Sequence, residues 1–255
     1  MLIAITREVS PSIGNCELTF VERQPIQVDL AQEQHHQYEK CLQEAGCQVH
    51  RLPVEPSLPD SVFVEDTAIV LDEVALLTRP GAVSRRPETA SVAQALAPYR
   101  AVVALQPPAT LEGGDVLVMD KTVYIGLSLR SNQSAIEQVQ AVLQPFGYTV
   151  CGVPVHGCLH LKSAVTQVAP DTVLINSQWL DSRNFEGLRL IEVDETEPHA
   201  ANALLIGETA IFPSNYPRTR QRLEDAGVRI KAVDVSELIK AEGAVTCCSL
   251  IFRMV

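Results

Sequence analysis

The stretch LEGGDVLVMDKTVYIGLS (111–128) sets two β-rich runs either side of a polar turn at Asp120 and Lys121. Valine, isoleucine, tyrosine and threonine favour a pleated, half-buried surface. So short a connection joins antiparallel strands, because a parallel pair needs a crossover of about a dozen residues or more. The stretch therefore reads as a hairpin. The same pattern returns in FVEDTAIVLDEVALLTRPG (63–81), LKSAVTQVAPDTVLINSQ (161–178) and ANALLIGETAIFPSN (201–215), and AVTCCSLIFRMV (244–255) supplies a fifth first strand. Recurrence at roughly 40–50 residues is the mark of a propeller or array.

Helical patterns lie between the hairpins. VDLAQEQHHQYEKCLQEAG (28–46) puts Leu30, Tyr38, Cys41, Leu42 and Ala45 on one side and stops at Gly46, which leaves His35 and His36 on a polar, solvated face. RRPETASVAQALAPY (85–99), SNQSAIEQVQAVLQPFG (131–147) and PRTRQRLEDAG (217–227) read similarly, and a further helix is expected around Trp179 to Phe185. A short β run follows each helix, at 48–54, 101–107, 148–155, 188–194 and 228–233. The repeating unit is strand, strand, helix, strand. Such a unit cannot bury both faces of its sheet alone, so the copies are expected to close into a ring with the helices outside. The expectation is one catalytic domain over residues 1–255, an α/β propeller with five blades built from ββαβ units. A doubly wound sheet is the alternative, and the short turns argue against it.

Composition narrows the partners. A formal charge of −11 leaves no basic stripe for a nucleic acid and favours a small cationic ligand. No apolar run is long enough to span a bilayer and no leader pattern opens the chain, so a soluble, unprocessed protein with no membrane partner is expected. Seven cysteines, without CxxC spacing, suit reduced thiols in a cytoplasm.

When the hairpins are aligned, their polar outliers coincide. Glu65 and Asp66 enter the first, Glu112 to Asp115 the second and His160 the third, while Cys247 and Cys248 sit in the fifth first strand. Equivalent positions of a ring converge on its axis. A cysteine needs a charged neighbour to ionise at neutral pH, a histidine can move protons, and clustered carboxylates can hold a planar cation. Attack of a thiolate on a guanidinium carbon needs all three. Blander readings stand beside this one: a cysteine as core filler, Asp60, Glu65 and Asp66 as a solvated turn, or His156, Cys158 and His160 as zinc ligands along one strand face. On a strand, Cys247 and Cys248 would point to opposite faces, so only one could serve as nucleophile.

The motifs DSVFVED (60–66), TRPGAVSRR (78–86), LEGGDV (111–116), GLSLRSNQ (126–133), HLKS (160–163) and TCCS (246–249) together resemble the dimethylarginine dimethylaminohydrolases, a family of guanidine-modifying penteins. The resemblance implies the five-bladed propeller and hydrolysis of Nω-methylated arginine, asymmetric dimethylarginine or monomethylarginine, to citrulline and an amine. It implies Cys247 as nucleophile, His160 as general acid and base, and Glu112 and Asp66 as carboxylates facing the guanidinium. Asp60 and Glu65 fall in the substrate site, Arg85 and Arg130 at the α-carboxylate end, Leu18 over the substrate and Ala241 at the amino-acid end. Leu129 departs from the lysine expected there. The resemblance calls for no cofactor and no metal, and it leaves room for a homodimer. Arginine deiminase-like activity on free arginine and a noncatalytic pentein binding module are the alternative functions.

Overall fold

The computed structural model describes residues 1–254 and contains fifteen strands in five three-stranded sheets. Strands β1 (Leu2–Arg7) and β2 (Cys47–Leu52) begin one blade. The next three blades are β3 (Ala68–Val70), β4 (Ala75–Leu77) and β5 (Val102–Ala104); β6 (Val116–Met119), β7 (Thr122–Leu127) and β8 (Thr149–Pro154); then β9 (Val165–Ala169), β10 (Thr172–Ile175) and β11 (Arg189–Glu192). The fifth is β12 (Leu204–Ile206), β13 (Thr209–Pro213) and β14 (Arg229–Val233), and β15 (Leu250–Arg253) returns to complete the first. In every blade the first two strands pair antiparallel and the third pairs parallel to the middle one. The first blade joins both ends of the chain, with Leu2 opposite Arg253 and Ile5 opposite Leu250. The architecture is the expected α/β propeller.

The apolar side chains explain the closure. Ile3, Ile5 and Leu250 of the first blade pack with Ala68, Ala75 and the helix residues Val92 and Leu96 of the second. Ile69 and Leu76 pack with Val116 and Ile125 of the third, Leu117 with Val165 and Ile175 of the fourth, Leu174 with Phe212 of the fifth, and Ile211 with Ala4 of the first. Each core cluster thus lies between neighbouring blades. Full burial of such a side chain is worth about 1.5–3 kcal/mol, and a blade excised from the ring would lose both of its shared cores.

Four crossovers carry α-helices, Val28–Glu44, Thr89–Leu96, Gln133–Leu143 and Pro217–Asp225. The helix expected around Trp179 to Phe185 is only a one-turn 3₁₀ segment, Ser182–Phe185, and its Phe185 is buried. His35 is also a correction. It is fully buried beside Tyr38 and Glu39, whereas His36 is exposed. The helix turns Gln34 and Glu39 inward because partners wait there: Gln34 donates to Asp234 and Ser236, and Glu39 accepts from Thr6 and Arg51. His35 is carried in with them.

The polar outliers sit one step earlier than the strands. Short helical turns precede the innermost strands, at Val64–Thr67 before β3, Gly113–Asp115 before β6 and Leu161–Ala164 before β9. Cys247 and Cys248 likewise lie in a turn, and β15 starts only at Leu250. The expected strand over AVTCC is therefore wrong, and strand alternation does not govern the two cysteines. The Cys247 carbonyl is taken by a tertiary bond rather than a sheet partner, from the Glu65 amide at 3.1 Å. Val255, the last residue of that run, lies outside the described residues.

Candidate active site

The turn carrying Glu112 is built by glycines. A side chain on Gly113 would put its Cβ 1.9 Å from the Glu65 carbonyl oxygen, and one on Gly114 would lie 2.5 Å from His160 Nδ1 and 2.9 Å from Asp66 Oδ1. Only hydrogen lets these three chain segments meet. The Gly114 amide then donates to Asp66 Oδ1 at 2.8 Å.

Glu112 has no exposed surface. Its Oε2 accepts from His160 Nε2 at 2.8 Å, and its Oε1 accepts from Arg130 Nη1 and the Ala82 amide, both at 3.2 Å. Burial alone would push this carboxyl up, but the hydrogen bond and charge of His160, with Arg85 and Arg130 nearby, hold it well below the usual carboxylate range. His160 moves the opposite way. Burial opposes its charge, yet Asp66, the Glu112 bond and Asp115 raise its pKa to about 9. The pair is an imidazolium carboxylate at neutral pH. Asp115, in the turn that carries Glu112, positions His160. Fully buried, it accepts from the Ser128 and Ser131 hydroxyls at 2.7 and 2.6 Å and from the Leu161 amide at 2.9 Å, which fixes the chain directly after His160.

A second network surrounds Cys247. Glu65 is buried and paired with Lys162, and its other oxygen accepts from the Thr246 hydroxyl at 2.9 Å, one residue before Cys247. Asn202 braces both partners, donating to Thr246 Oγ1 and the Lys162 carbonyl, each at 3.0 Å. In sequence Lys162 is only a lysine in HLKS, since it carries no spacing signal until its partner Glu65 is known. Cys247 is buried, and that burial, followed by the nearby Glu65 and Asp66 charges, pushes its thiol well above the ordinary range. Glu65, Lys162 and Thr246 also line an axial cavity of about 320 Å³ walled by the innermost strands, whose lining does not include Glu112, His160 or Cys247.

The residues expected at the amino-acid end are arranged unequally. Arg85 is buried with its donors engaged, to Asp66 Oδ2 at 2.7 Å, Glu88 Oε2 at 2.9 Å and the Asp60 and Phe63 carbonyls. Arg130 is nearer the surface and bridges Glu112 to Thr19 Oγ1, the latter at 2.9 Å. Asp60 accepts from the Glu17 amide at 3.1 Å, and burial raises its pKa. Leu18, next in the chain, packs on the apolar cluster that contains Phe63, Ala241 and Cys247. Residues 17–20 therefore cross over the candidate site.

His156, Cys158 and His160 do not form the zinc set that a single strand face would give. Strand β8 ends at Pro154 and the chain turns at Gly157, φ +76°, so the three do not share a strand face, and His156 is exposed while the other two are buried. The set that could receive a cation is instead Asp66, Glu112 and His160, whose ligand atoms lie within 4.8 Å of one another. Arg85, Arg130 and the His160 imidazolium already serve the two carboxylates.

Residues 17–253 match the family described as N,N dimethylarginine dimethylhydrolase, eukaryotic. A dimethylarginine dimethylaminohydrolase from Streptomyces coelicolor is 38% identical over 251 residues, covering 98% of this chain and 96% of that protein. The one from Pseudomonas aeruginosa is 35% identical over 224 residues, covering 87% and 88%. The solved structure of a cysteine-to-serine mutant of the Pseudomonas aeruginosa enzyme, complexed with citrulline, superposes with a TM-score of 0.93 at 33% identity and covers 98% of each chain. With the family match over residues 17–253 and similarity running nearly end to end, this chain belongs to the dimethylarginine dimethylaminohydrolase family.

Proposed function

We propose that the protein hydrolyses Nω-methylated L-arginine to L-citrulline and methylamine or dimethylamine, through a thiouronium intermediate on Cys247. The observation that carries the reading is the buried meeting of Asp66, Glu112 and His160 from turns of three different blades. Two carboxylates and a protonated imidazole in one dry site suit a planar cation whose nitrogen must leave protonated.

The guanidinium displaces the protein cations from Glu112 and Asp66. Its positive charge also offsets the two carboxylates that, after burial, hold the Cys247 thiol neutral. As the guanidinium binds, Cys247 Sγ releases its proton to bulk water and the thiolate bonds to the guanidinium carbon; the bond from carbon to the methylated nitrogen breaks as His160 gives its proton to the departing amine, which leaves the thiouronium. Neutral His160 then takes a proton from water, the oxygen adds to the same carbon, and the carbon–sulfur bond breaks as the hydroxyl proton passes to sulfur, leaving citrulline and the Cys247 thiol, while the free amine takes up the proton released to water at the start. The test is citrulline release from dimethylarginine against arginine, with acid-quenched turnover examined by mass spectrometry. An adduct on the peptide containing Cys247 and a preference for the methylated substrate are expected. Absence of any adduct sinks covalent catalysis, and faster release from arginine makes the protein a deiminase.

The two arginines should separate in the same assay. Arg130→Ala removes the more accessible partner and should raise KM by about tenfold or more with a smaller change in kcat. Arg85→Ala leaves Asp66 and Glu88 buried without their counter-ion, and should destabilise the fold by about 3–5 kcal/mol. Chemical denaturation checks the second. Equal effects of the two changes on stability would refute the distinction.

The seven cysteines are all unpaired, which supports a reducing, cytoplasmic setting. Among the described residues, no helix is long and apolar enough to cross a membrane.

A further inference from the structure

The chain beyond the short helix Ser236–Ile239 turns back on itself, with Ala241 and Gly243 amides bonded to the Leu238 carbonyl and the Glu242 amide to the Ile239 carbonyl, all at 3.0 Å. Glu242 takes a φ of +56°, a left-handed conformation that a helix terminus ordinarily gives to glycine. A glycine is available next door and is used otherwise. A Cβ on Gly243 would lie 2.3 Å from the Phe63 ring, and its own φ is not positive. A glutamate held in an unfavourable conformation, beside a glycine spent on packing, points to a purpose for its side chain.

That side chain reaches across 222 positions of sequence. Glu242 Oε2 accepts from the Thr19 amide and Oε1 from the Phe20 amide, each at 2.6 Å. The carboxylate thus grips two successive amides of the segment over the candidate site. The other edge of the segment is held by Asp60 on the Glu17 amide and by Arg130 on Thr19 Oγ1. Leu18 lies between these fixings, on the cluster that contains Cys247 and Ala241, and Ala241 directly precedes Glu242.

We infer that Glu242 is a positioning residue that latches residues 17–20 over the site and so sets Leu18 against the substrate. This rests on the hydrolase reading above. Bonds from two amides to one ionised carboxylate are the stronger kind of hydrogen bond, and they exist only while the segment is closed. Without them the closed arrangement is less populated, and apparent substrate affinity falls in the same proportion. Saturating substrate restores closure, so turnover at saturation changes much less.

The decisive variants are Glu242→Gly and Glu242→Gln. Glycine removes the latch and also relieves the left-handed backbone, so Tm should stay within about 3 °C of the parent. Exchange of the Thr19 and Phe20 amides, followed by NMR, should quicken by about tenfold or more, and KM should rise by a similar factor with kcat held within about threefold. Glutamine keeps one acceptor oxygen and the strained backbone, so its exchange and KM should fall between parent and glycine variant. A large loss of Tm in the glycine variant with unchanged amide exchange would make Glu242 merely structural and overturn the latch. Unchanged exchange with unchanged KM would overturn it also. If the parent itself releases no citrulline, the hydrolase reading fails, and amide exchange still decides the latch on its own.

Discussion

Cys247→Ser should lower turnover of methylated arginine by roughly 10⁴-fold or more, while Cys248→Ser keeps most of the activity. A serine hydroxyl has a far higher pKa, and the site around position 247 works against anions: burial first, then Glu65 and Asp66, already raise the native thiol. Even a bound guanidinium cannot bring an alcohol within reach of ionisation. Cys248 has no exposed surface, packs in the cluster shared by the first and fifth blades, and sends its thiol to the Ala244 carbonyl at 3.5 Å. Serine there should cost about 1–2 kcal/mol of stability. Steady-state rates and thermal melts of both variants decide the matter, and reversed behaviour would make Cys248 the nucleophile. Alkylation of the ligand-free protein adds a check on the cause. Its rate at Cys247 should still be climbing above pH 9, because the thiol stays protonated until substrate binds.

Glu112→Gln should reduce kcat/KM by about 10²–10³-fold, with measurable change in the titration of His160. An amide keeps the shape but can neither offset a guanidinium nor accept two of its hydrogen bonds. The linkage has two signs. His160 has a raised pKa, so the stability it contributes is complete below its unfolded value near 6.5 and is lost as pH rises through about 9. Glu112 has a depressed pKa, so its contribution is present above the ordinary carboxylate value and is lost as pH falls toward its folded one. In the glutamine variant His160 loses one of its raising partners and keeps Asp66 and Asp115, so its NMR titration should move down from about 9. Near-native turnover, or a His160 titration that does not move, would remove Glu112 from the site.

Much of this arrangement was legible in the chain. The strand pairs of the hairpins were readable because a short turn admits only antiparallel partners, and Val116 to Met119 and Thr122 to Leu127 pair as that rule requires. Glu112, Asp66 and His160 stood out as polar residues at equivalent points of apolar repeats, and the structure brings them together. What escaped was whatever depends on a partner distant in sequence. The turn over Cys247 is bonded to Glu65, some 180 residues earlier. His35 looked solvated because periodicity sees polarity and not the pocket awaiting it. Lys162, Asp115 and Glu242 gain meaning only from Glu65, Leu161 and the amides of Thr19 and Phe20.

The blade that joins Leu2 to Arg253 gives the molecule a built-in order of assembly. A chain emerging from the ribosome can pack its third, fourth and fifth blades each on the one before, since every core cluster is shared between neighbours. The first blade must wait, with one edge of β1 unpaired, until β15 arrives to pair with it. Cys247 travels immediately ahead of β15. The Cys247 thiol, the proposed nucleophile, therefore takes its place only as the ring shuts, and a chain without that last segment holds Asp66, Glu112 and His160 alone.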